Sequence, residues 1–316
     1  MSHIGQGLRD EWGRIIVELA RRHENIILLD ADVSPATRAD GFGREFPERF
    51  VQFGCAEQNM VSAAAGIASM GLVPVLSIFA CFCSRRVADQ VAISIAYPRM
   101  NVKLVGSYAG LTTPNTGATH QSVDDVNIMR GIPNMLVFEA ADAFELEQIM
   151  EACVLHDGPS YVRVVRCAVP RVVPDDYRFR IGRAAVLREG KDVSLIGSGL
   201  MVSRCLEAAE SLAGEGISAE VINMSSLKPV DSDAIVASAS KTGRVLTAEN
   251  HSIIGGLGSA VAEVLAERCP ARLKRVGIQD QFGTSGTLDT ILERYGLTAG
   301  NVRRQAEILV GQSPSS

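Results

Sequence analysis

The sequence predicts an α/β protein with two doubly wound sheets, and three observations support this class. Helix-type and strand-type patterns alternate along the whole chain. Several strands are continuous apolar runs, such as residues 26–29, which is typical of parallel strands buried on both faces. The alternation is interrupted once, in a segment rich in Pro and Asp, and then resumes. With 316 residues and 47% hydrophobic residues, the chain is long enough for two domains.

The first unit is predicted to span residues 1–170. An amphipathic pattern ending in Arg21 and Arg22 predicts an opening helix, because basic residues favour a helix C-terminus. The later segments alternate between apolar runs and helical periodicity. In order, the predicted elements are a helix at 8–22, strands at 26–29 and 49–53, a helix at 61–68, a strand at 72–78, a helix at 87–96, a strand at 102–105, a loop at 106–119, a helix at 123–130, a strand at 135–138, a helix at 142–155 and a strand at 161–165.

A linker is predicted at residues 171–185, where Pro174, Asp175 and Asp176 show little periodicity. The second unit, residues 186–316, resumes the alternation. Its predicted elements are a strand at 192–196, a Gly turn at 197–199, a helix at 202–213, strands at 219–224 and 244–249 and a helix at 260–268. The Gly turn alone does not indicate a nucleotide, because strand-to-helix Gly turns are common without one.

Composition excludes several classes of protein. The net charge is −5 with dispersed basic residues, so no basic face for nucleic acid is expected. No apolar run approaches the length of a membrane span, and the polar N-terminus does not resemble a signal peptide. The seven Cys are scattered without a CxxC pair, which favours reduced thiols and a cytoplasmic location.

The most informative segment is Gly54 to Met60, which places Glu57 among small, uncharged residues. A strand pattern precedes it and a helix rich in small apolar residues follows, so Glu57 lies at a strand-to-helix turn. If that helix is buried, the carboxylate loses water and could hold or pass a proton in acid–base chemistry. A first-turn Glu that merely stabilises the helix is the alternative.

The Ala56-Glu57-Gln58-Asn59-Met60 segment and the order of the two units resemble the transketolase family of thiamine-diphosphate enzymes. The resemblance covers nearly the whole chain. It implies a pyrimidine-binding domain followed by a Rossmann-like transketolase C-terminal domain that binds no cofactor. It also implies that Glu57 hydrogen-bonds the aminopyrimidine ring of thiamine diphosphate and promotes the tautomer that takes the proton from the thiazolium carbon.

Two Phe and one Asp are further cofactor candidates. Phe79 and Phe82 follow a strand and are spaced to share one face of a turn, although core packing explains them equally well. The resemblance implies that one ring stacks on the aminopyrimidine, with Phe82 the better match and Phe79 in the same pocket. Asp32 follows a strand end, where open α/β sheets bind ligands, and the family has an Asp there at the cofactor and subunit junction.

His120 and two arginines are the substrate candidates. Imidazole can donate to a substrate oxygen and move protons near neutral pH, and the resemblance implies both roles for His120. Arg9 and Arg166 match the family positions that hold a sugar phosphate, which suits the bidentate geometry of a guanidinium. Arg163, on the opposite strand face, is a weaker candidate.

Thr116 departs from the family pattern. The family loop commonly has an Asp there that contacts a substrate hydroxyl, and an upstream His of the family matches Gly106 or lies near Tyr108. Thr116 is therefore a substrate-binding candidate that implies an altered substrate preference.

The resemblance also implies a partner. The family binds the diphosphate and Mg²⁺ through a preceding domain marked by Gly-Asp-Gly, and this chain contains no Gly-Asp-Gly. A separate N-terminal subunit is therefore expected to supply the metal ligands in an α2β2 heterotetramer, with no metal ligand from this chain. The expected activity is transfer of a two-carbon ketol unit between phosphorylated sugars.

The sequence alone leaves three alternatives open. One is the β-subunit of a 2-oxo-acid dehydrogenase, which has a similar architecture. Another is a specialised transketolase acting on apulose phosphate, a sulfosugar or a precursor of a secondary metabolite. The last is a non-enzymatic interaction module, against which the intact Glu57 argues.

Overall fold

The computed structural model describes residues 7–311, which form two sheets flanked by helices, and the α/β class is confirmed. The elements up to residue 164 are α1 (Leu8–Arg22), β1 (Ile26–Asp30), α2 (Ser34–Thr37), α3 (Asp40–Glu45), β2 (Phe50–Gln52), α4 (Glu57–Ser69), β3 (Val73–Phe79), α5 (Ala80–Ser84), α6 (Ala88–Gln90), β4 (Lys103–Ser107), α7 (Asp125–Gly131), β5 (Leu136–Glu139), α8 (Ala143–Leu155) and β6 (Ser160–Val164). Those that follow are β7 (Ala185–Arg188), β8 (Val193–Gly197), α9 (Met201–Gly214), β9 (Ala219–Asn223), β10 (Ser226–Lys228), α10 (Ser232–Thr242), β11 (Arg244–Ser252), α11 (Leu257–Arg268), β12 (Arg272–Ile278), α12 (Leu288–Arg294) and α13 (Ala299–Val310).

The first sheet has the strand order β10-β5-β6-β4-β3-β1-β2. Strands β1 to β6 pair in parallel, whereas β10 is antiparallel to β5 and comes from the later part of the chain. β2 and β3 lie on opposite sides of β1, so the order in which the chain adds strands to the sheet reverses at β1. Ligand crevices of open α/β sheets form outside the carboxyl ends of strands at such a reversal.

The second sheet has the order β12-β11-β8-β9-β7. Its strands pair in parallel except β7, which is antiparallel to β9 at one edge. The antiparallel pairs were not predicted, because the short edge strands β7 and β10 lack long apolar runs.

The central strands of the first sheet are completely buried, as their apolar runs predict. Every residue of β3, β4 and β6 is buried, because helices cover both faces of a doubly wound sheet. Helix α1 is fixed on one face through Trp12, whose indole Nε1 donates a hydrogen bond to Ser77 Oγ over 3.1 Å. Across residues 7–311, no helix is both long enough and apolar enough to cross a lipid bilayer.

Two helical segments differ from their sequence patterns. The helix expected over residues 87–96 is a short α6 followed by a π-helical stretch at Val91–Ala96. Helix α4 was expected to be buried, but only Glu57, Met60, Val61 and Ala64 are, since one face alone packs on the sheet. A continuous run of small residues therefore does not establish burial on all sides.

Candidate active site

Glu57 is the first residue of α4 and lies at the carboxyl edge of the first sheet. Because α4 directly follows β2, its N-terminus opens at the edge where the parallel strands end. The Glu57 residue is 5% exposed, and Oε1 accepts a hydrogen bond from Arg86 Nη1 over 2.6 Å. Glu57 therefore lies at the strand-to-helix turn that its sequence context predicts, but its carboxylate is paired with a guanidinium that sequence reasoning did not single out.

The two Phe side chains lie together beside this ion pair. Phe79 ends β3, is 9% exposed and stacks on Tyr108 with ring centroids 4.4 Å apart. Phe82, in α5, is half-buried, and its ring centroid lies 5.9 Å from that of Phe79. The guanidinium carbon of Arg86 lies 4.0 Å from the Phe82 centroid, so Arg86 joins Phe82 to Glu57.

His120 packs edge-on against the same rings. Its centroid is 5.3 Å from that of Phe82 and 5.9 Å from that of Phe79. Its Nδ1 is hydrogen-bonded to Thr119 Oγ1 over 2.8 Å, which fixes the ring orientation. A lone His in a polar loop is often only solvated, whereas this one belongs to the aromatic cluster.

Tyr108 connects both predicted arginines to the cluster. Its hydroxyl accepts a hydrogen bond from Arg9 Nη1 over 2.9 Å and donates one to the Ala36 carbonyl over 3.1 Å. The guanidinium carbon of Arg166 lies 5.2 Å from the Tyr108 ring centroid. Tyr108 also has a φ of 63°, in the left-handed region that non-Gly residues rarely adopt and that is enriched at functional sites.

The two arginines lack strong carboxylate partners. Among residues 7–311, Arg166 forms no ion pair. The carboxylate within reach of Arg9 is Asp10, whose Oδ1 lies 3.8 Å from Arg9 Nε and is hydrogen-bonded to Arg38 over 2.6 Å. Two weakly compensated cations beside one aromatic ring form a favourable place for an anion.

Asp32 and Thr116 make their hydrogen bonds outside this cluster. Asp32 is exposed and has a left-handed backbone conformation, with a φ of 62°. Its backbone N–H donates a hydrogen bond to Gln52 Oε1 over 2.7 Å. The Thr116 hydroxyl is engaged within its own loop, 2.8 Å from Thr113 Oγ1. Asp30, two residues before Asp32, is completely buried. Its Oδ1 has no hydrogen-bond partner among the described residues, and burial raises the pKa of this carboxyl.

The second sheet holds the loop that carries His120. Asn250, in β11, accepts a hydrogen bond from the Leu111 N–H over 3.1 Å and donates one to the Ala109 carbonyl over 3.3 Å. Gln121 Nε2 donates to the Thr284 carbonyl over 3.1 Å. Gly110 lies so close that a Cβ there would be 2.2 Å from Asn250, so this position requires Gly.

Arg163 is not part of the candidate site. It is completely buried, and its guanidinium pairs with Asp125 over 2.7 Å and with Glu139 over 2.6 Å. Burial alone would raise the pKa of Asp125, but the adjacent Arg163 charge lowers it below its usual value.

Residues 7–311 contain no group of three or more His, Cys, Asp or Glu that could hold a metal ion.

The chain matches known proteins over nearly its whole length. The profile of the transketolase pyrimidine binding domain matches residues 7–171, and that of the transketolase C-terminal domain matches residues 182–302. The 6-deoxy-6-sulfo-D-fructose transketolase subunit of Clostridium sp. strain MSTE9 is 46% identical over 95% of this chain and 93% of its own length. One of the subunits of the apulose-4-phosphate transketolase of Phocaeicola vulgatus is 37% identical over 92% of this chain and 93% of its own length.

A solved structure agrees with these relatives. A split gene transketolase, described as an inactive beta4 tetramer, superposes with a TM-score of 0.90 and 44% sequence identity. The match covers 97% of this chain and 99% of that one. The chain therefore belongs to the transketolase family and is a transketolase subunit with that family's pyrimidine-binding and C-terminal domains.

Proposed function

We propose that this chain is the pyrimidine-binding subunit of a split, thiamine-diphosphate-dependent transketolase that transfers a two-carbon ketol unit between phosphorylated sugars. The observation that carries the proposal is the buried Glu57 carboxylate at the start of α4, joined to Phe82 through Arg86. This arrangement lies within the segment matched by the pyrimidine binding domain.

The residues present fit an aminopyrimidine ring. Glu57 offers a buried carboxylate to a ring N–H, and Phe82 offers an aromatic surface for stacking. Phe82 suits this role better than Phe79, because Phe79 is nearly buried and already stacks on Tyr108. Thiamine diphosphate, when bound, supplies a thiazolium carbon nucleophile, while Glu57 holds the proton that its aminopyrimidine half exchanges.

His120 is proposed to bind and protonate substrate oxygens. Because His120 Nδ1 is hydrogen-bonded to Thr119, Nε2 is the ring nitrogen available for a hydrogen bond or a proton transfer to the substrate. The Phe rings exclude water from one side of the imidazole and limit its orientation. Thr116 is proposed to contact a substrate hydroxyl in the place of the family Asp.

Arg9 and Arg166 are proposed to hold the anionic end of the substrate. Their weak compensation by carboxylates and their shared contact with Tyr108 support this role. A phosphate is one candidate anion. A sulfonate is the second candidate, favoured by the 46% identity to the sulfofructose transketolase subunit. Both groups present three terminal oxygens to guanidinium donors.

The proposed assembly pairs this chain with an N-terminal subunit that binds the diphosphate and Mg²⁺, in a cytoplasmic α2β2 heterotetramer. The supporting observation is the relative described as an inactive beta4 tetramer of a split gene transketolase. That assembly contains one type of chain and is inactive, which is expected if a second type of chain is needed for activity. Asp32, which is exposed just after the end of β1, is proposed to lie at the cofactor and subunit junction. Residues 1–170 are proposed to form the cofactor-binding domain and residues 186–316 the second domain, joined by the linker at 171–185.

Reconstitution tests this function. The chain alone should show no ketol transfer and weak binding of thiamine diphosphate, and addition of a diphosphate-binding transketolase subunit should restore both. Ketose phosphates and sulfonated ketoses are compared as donors, which separates the two candidate anions. In the complex, Glu57→Gln should lower kcat by about a hundredfold or more, because the amide cannot share the proton. Near-normal turnover of that variant would remove Glu57 from the mechanism, and full activity of the isolated chain would exclude the split assembly.

A further inference from the structure

Arg86 makes the two contacts that the proposed function assigns to the aminopyrimidine ring. Its Nη1 donates a hydrogen bond to Glu57 Oε1, and its guanidinium lies over the Phe82 ring at 4.0 Å. The first is an edge contact to a carboxylate, and the second is a face contact to an aromatic ring. A guanidinium is a flat, delocalised cation with N–H donors along its edge, so its shape and charge suit both contacts.

The burial of the two partners shows which one can move. The Glu57 side chain is 6% exposed, whereas the Arg86 side chain is 45% exposed. A buried carboxylate without a partner is unfavourable, so Glu57 needs a hydrogen-bond donor in the absence of a ligand. The half-exposed Arg86 supplies that donor and has solvent into which its side chain can swing.

We propose that Arg86 occupies the aminopyrimidine position in the cofactor-free chain and leaves it when the cofactor enters. This inference rests on the proposed function, since it takes Glu57 and Phe82 as the aminopyrimidine contacts. A bound pyrimidine needs the same Glu57 carboxylate and a free face of the Phe82 ring. Phe79 and His120 already pack against the Phe82 ring, so the face that Arg86 covers is the one that the pyrimidine would need. Arg86 and the cofactor therefore compete, and the buried carboxylate stays paired before and after the exchange.

Binding of a cofactor fragment tests the competition without any activity assay. The isolated chain is titrated with the free hydroxymethyl-aminopyrimidine fragment of thiamine, and NMR chemical shifts report the dissociation constant. Arg86→Ala removes the competitor, so the fragment should bind about threefold to tenfold more tightly than to the unchanged chain. Arg86→Lys keeps the charge without the planar fork and should give an intermediate affinity. Arg85→Ala is the matched control, because Arg85 pairs with Asp124 and not with Glu57.

The outcomes separate this inference from the proposed function. In the unchanged chain, the Arg86 Nε–H signal should shift as the fragment binds. If the unchanged chain binds the fragment but Arg86→Ala binds it equally or more weakly, Arg86 belongs to the loaded site and the competition is wrong. If neither the unchanged chain nor an Arg86 variant binds the fragment, or if Glu57→Gln binds it as tightly as the unchanged chain, the aminopyrimidine site itself is wrong and the competition fails with it.

Discussion

At the scale of single residues, Tyr108 shows how one side chain organises the candidate site. Its hydroxyl contacts Arg9, its ring stacks on Phe79, and Arg166 lies against the same ring. Resemblance to the family located Arg9, Arg166 and Phe79 but gave Tyr108 no role. An aromatic residue after a buried strand is usually core, and its left-handed backbone cannot be inferred from its residue type. The residues with familiar chemistry were therefore predictable, whereas the one that connects them was not.

Replacement of Arg166 tests the proposed anion site. In the reconstituted enzyme, Arg166→Ala should raise KM for an anionic ketose much more than for its uncharged analogue. Loss of a charged hydrogen bond costs about 1.5–3 kcal/mol, which corresponds to roughly a tenfold to hundredfold loss of kcat/KM. Steady-state kinetics with both substrates measure the difference. Arg304→Ala on the exposed side of α13 is the control, and equal effects of Arg166→Ala on both substrates would show that Arg166 is structural.

At the scale of elements, the loop between β4 and α7 depends on the second sheet for its shape. Asn250 binds this loop at Ala109 and Leu111, and Gln121 ties its far end to Thr284. The sequence predicted a long Gly- and Thr-rich loop here but not its anchors, because Asn250 is separated from Leu111 by 139 positions. Local patterns identify strands and helices, and long-range hydrogen bonds to a loop leave no local pattern.

Asn250 is therefore expected to position His120 rather than to contact substrate. Asn250→Ala leaves the Leu111 N–H buried and unpaired, at a cost of about 1–3 kcal/mol. The Ala109 carbonyl loses one of its two donors and keeps the Thr112 hydroxyl at 2.8 Å. We expect kcat to fall about tenfold or more, with altered NMR signals of the His120 ring in the isolated chain. Asn250→Asp keeps the acceptor for Leu111 and should recover part of both. Unchanged His120 signals together with normal kcat would contradict the positioning role.

At the scale of the whole molecule, buried charged groups join the two sheets. Arg163 in β6 pairs with Asp125 and Glu139 and also donates to the Asn250 carbonyl of β11 over 3.1 Å. Ser198, after β8, donates to Glu139 Oε2 over 2.7 Å. The alternation of elements predicted both sheets, but it could not predict this junction, since a lone Arg in a strand pattern is more often exposed. Hydrogen bonds of buried charged groups thus help to join the two sheets, together with the pairing of β10 with β5, and the bond to the Glu139 carboxylate depends on protonation.

Glu249, beside this junction, should make stability depend on pH. Its carboxylate accepts hydrogen bonds from the Leu257 and Gly258 N–H groups, but burial raises its pKa from 4.5 to about 8. The folded chain therefore holds this proton more tightly than the unfolded chain. The resulting stabilisation is complete below pH 4.5 and is lost as the pH rises through about 8.

Nearby groups limit the window in which Glu249 can be observed. Burial lowers the pKa of His251 from 6.5 to about 4, so its own contribution is lost only as the pH falls from 6.5 through about 4. Burial also raises the pKa of Glu139 above its usual value, and Arg163 opposes that rise. Above pH 6.5, Glu249 should thus lower the stability as the pH rises, and Glu139 and Glu145, whose pKa values burial also raises, act in the same direction. Lys103, whose pKa burial lowers to about 8, opposes this loss as the pH approaches that value.

The thermal unfolding midpoint of the chain should therefore fall as the pH is raised from 6.5 to about 8, the range between the ordinary pKa of His251 and the raised pKa of Glu249. Glu249→Gln cannot lose a proton and keeps an acceptor for one of the two backbone N–H groups, so the midpoint of this variant should fall less steeply. Calorimetry at matched ionic strength measures both slopes, and Glu210→Gln on the exposed face of α9 serves as the control. Because Glu139 still titrates in the variant, the slope should shrink without vanishing. Parallel slopes for Glu249→Gln and the unchanged chain would show that Glu249 is already ionised in the folded protein, held by the two N–H donors of α11 in spite of its burial.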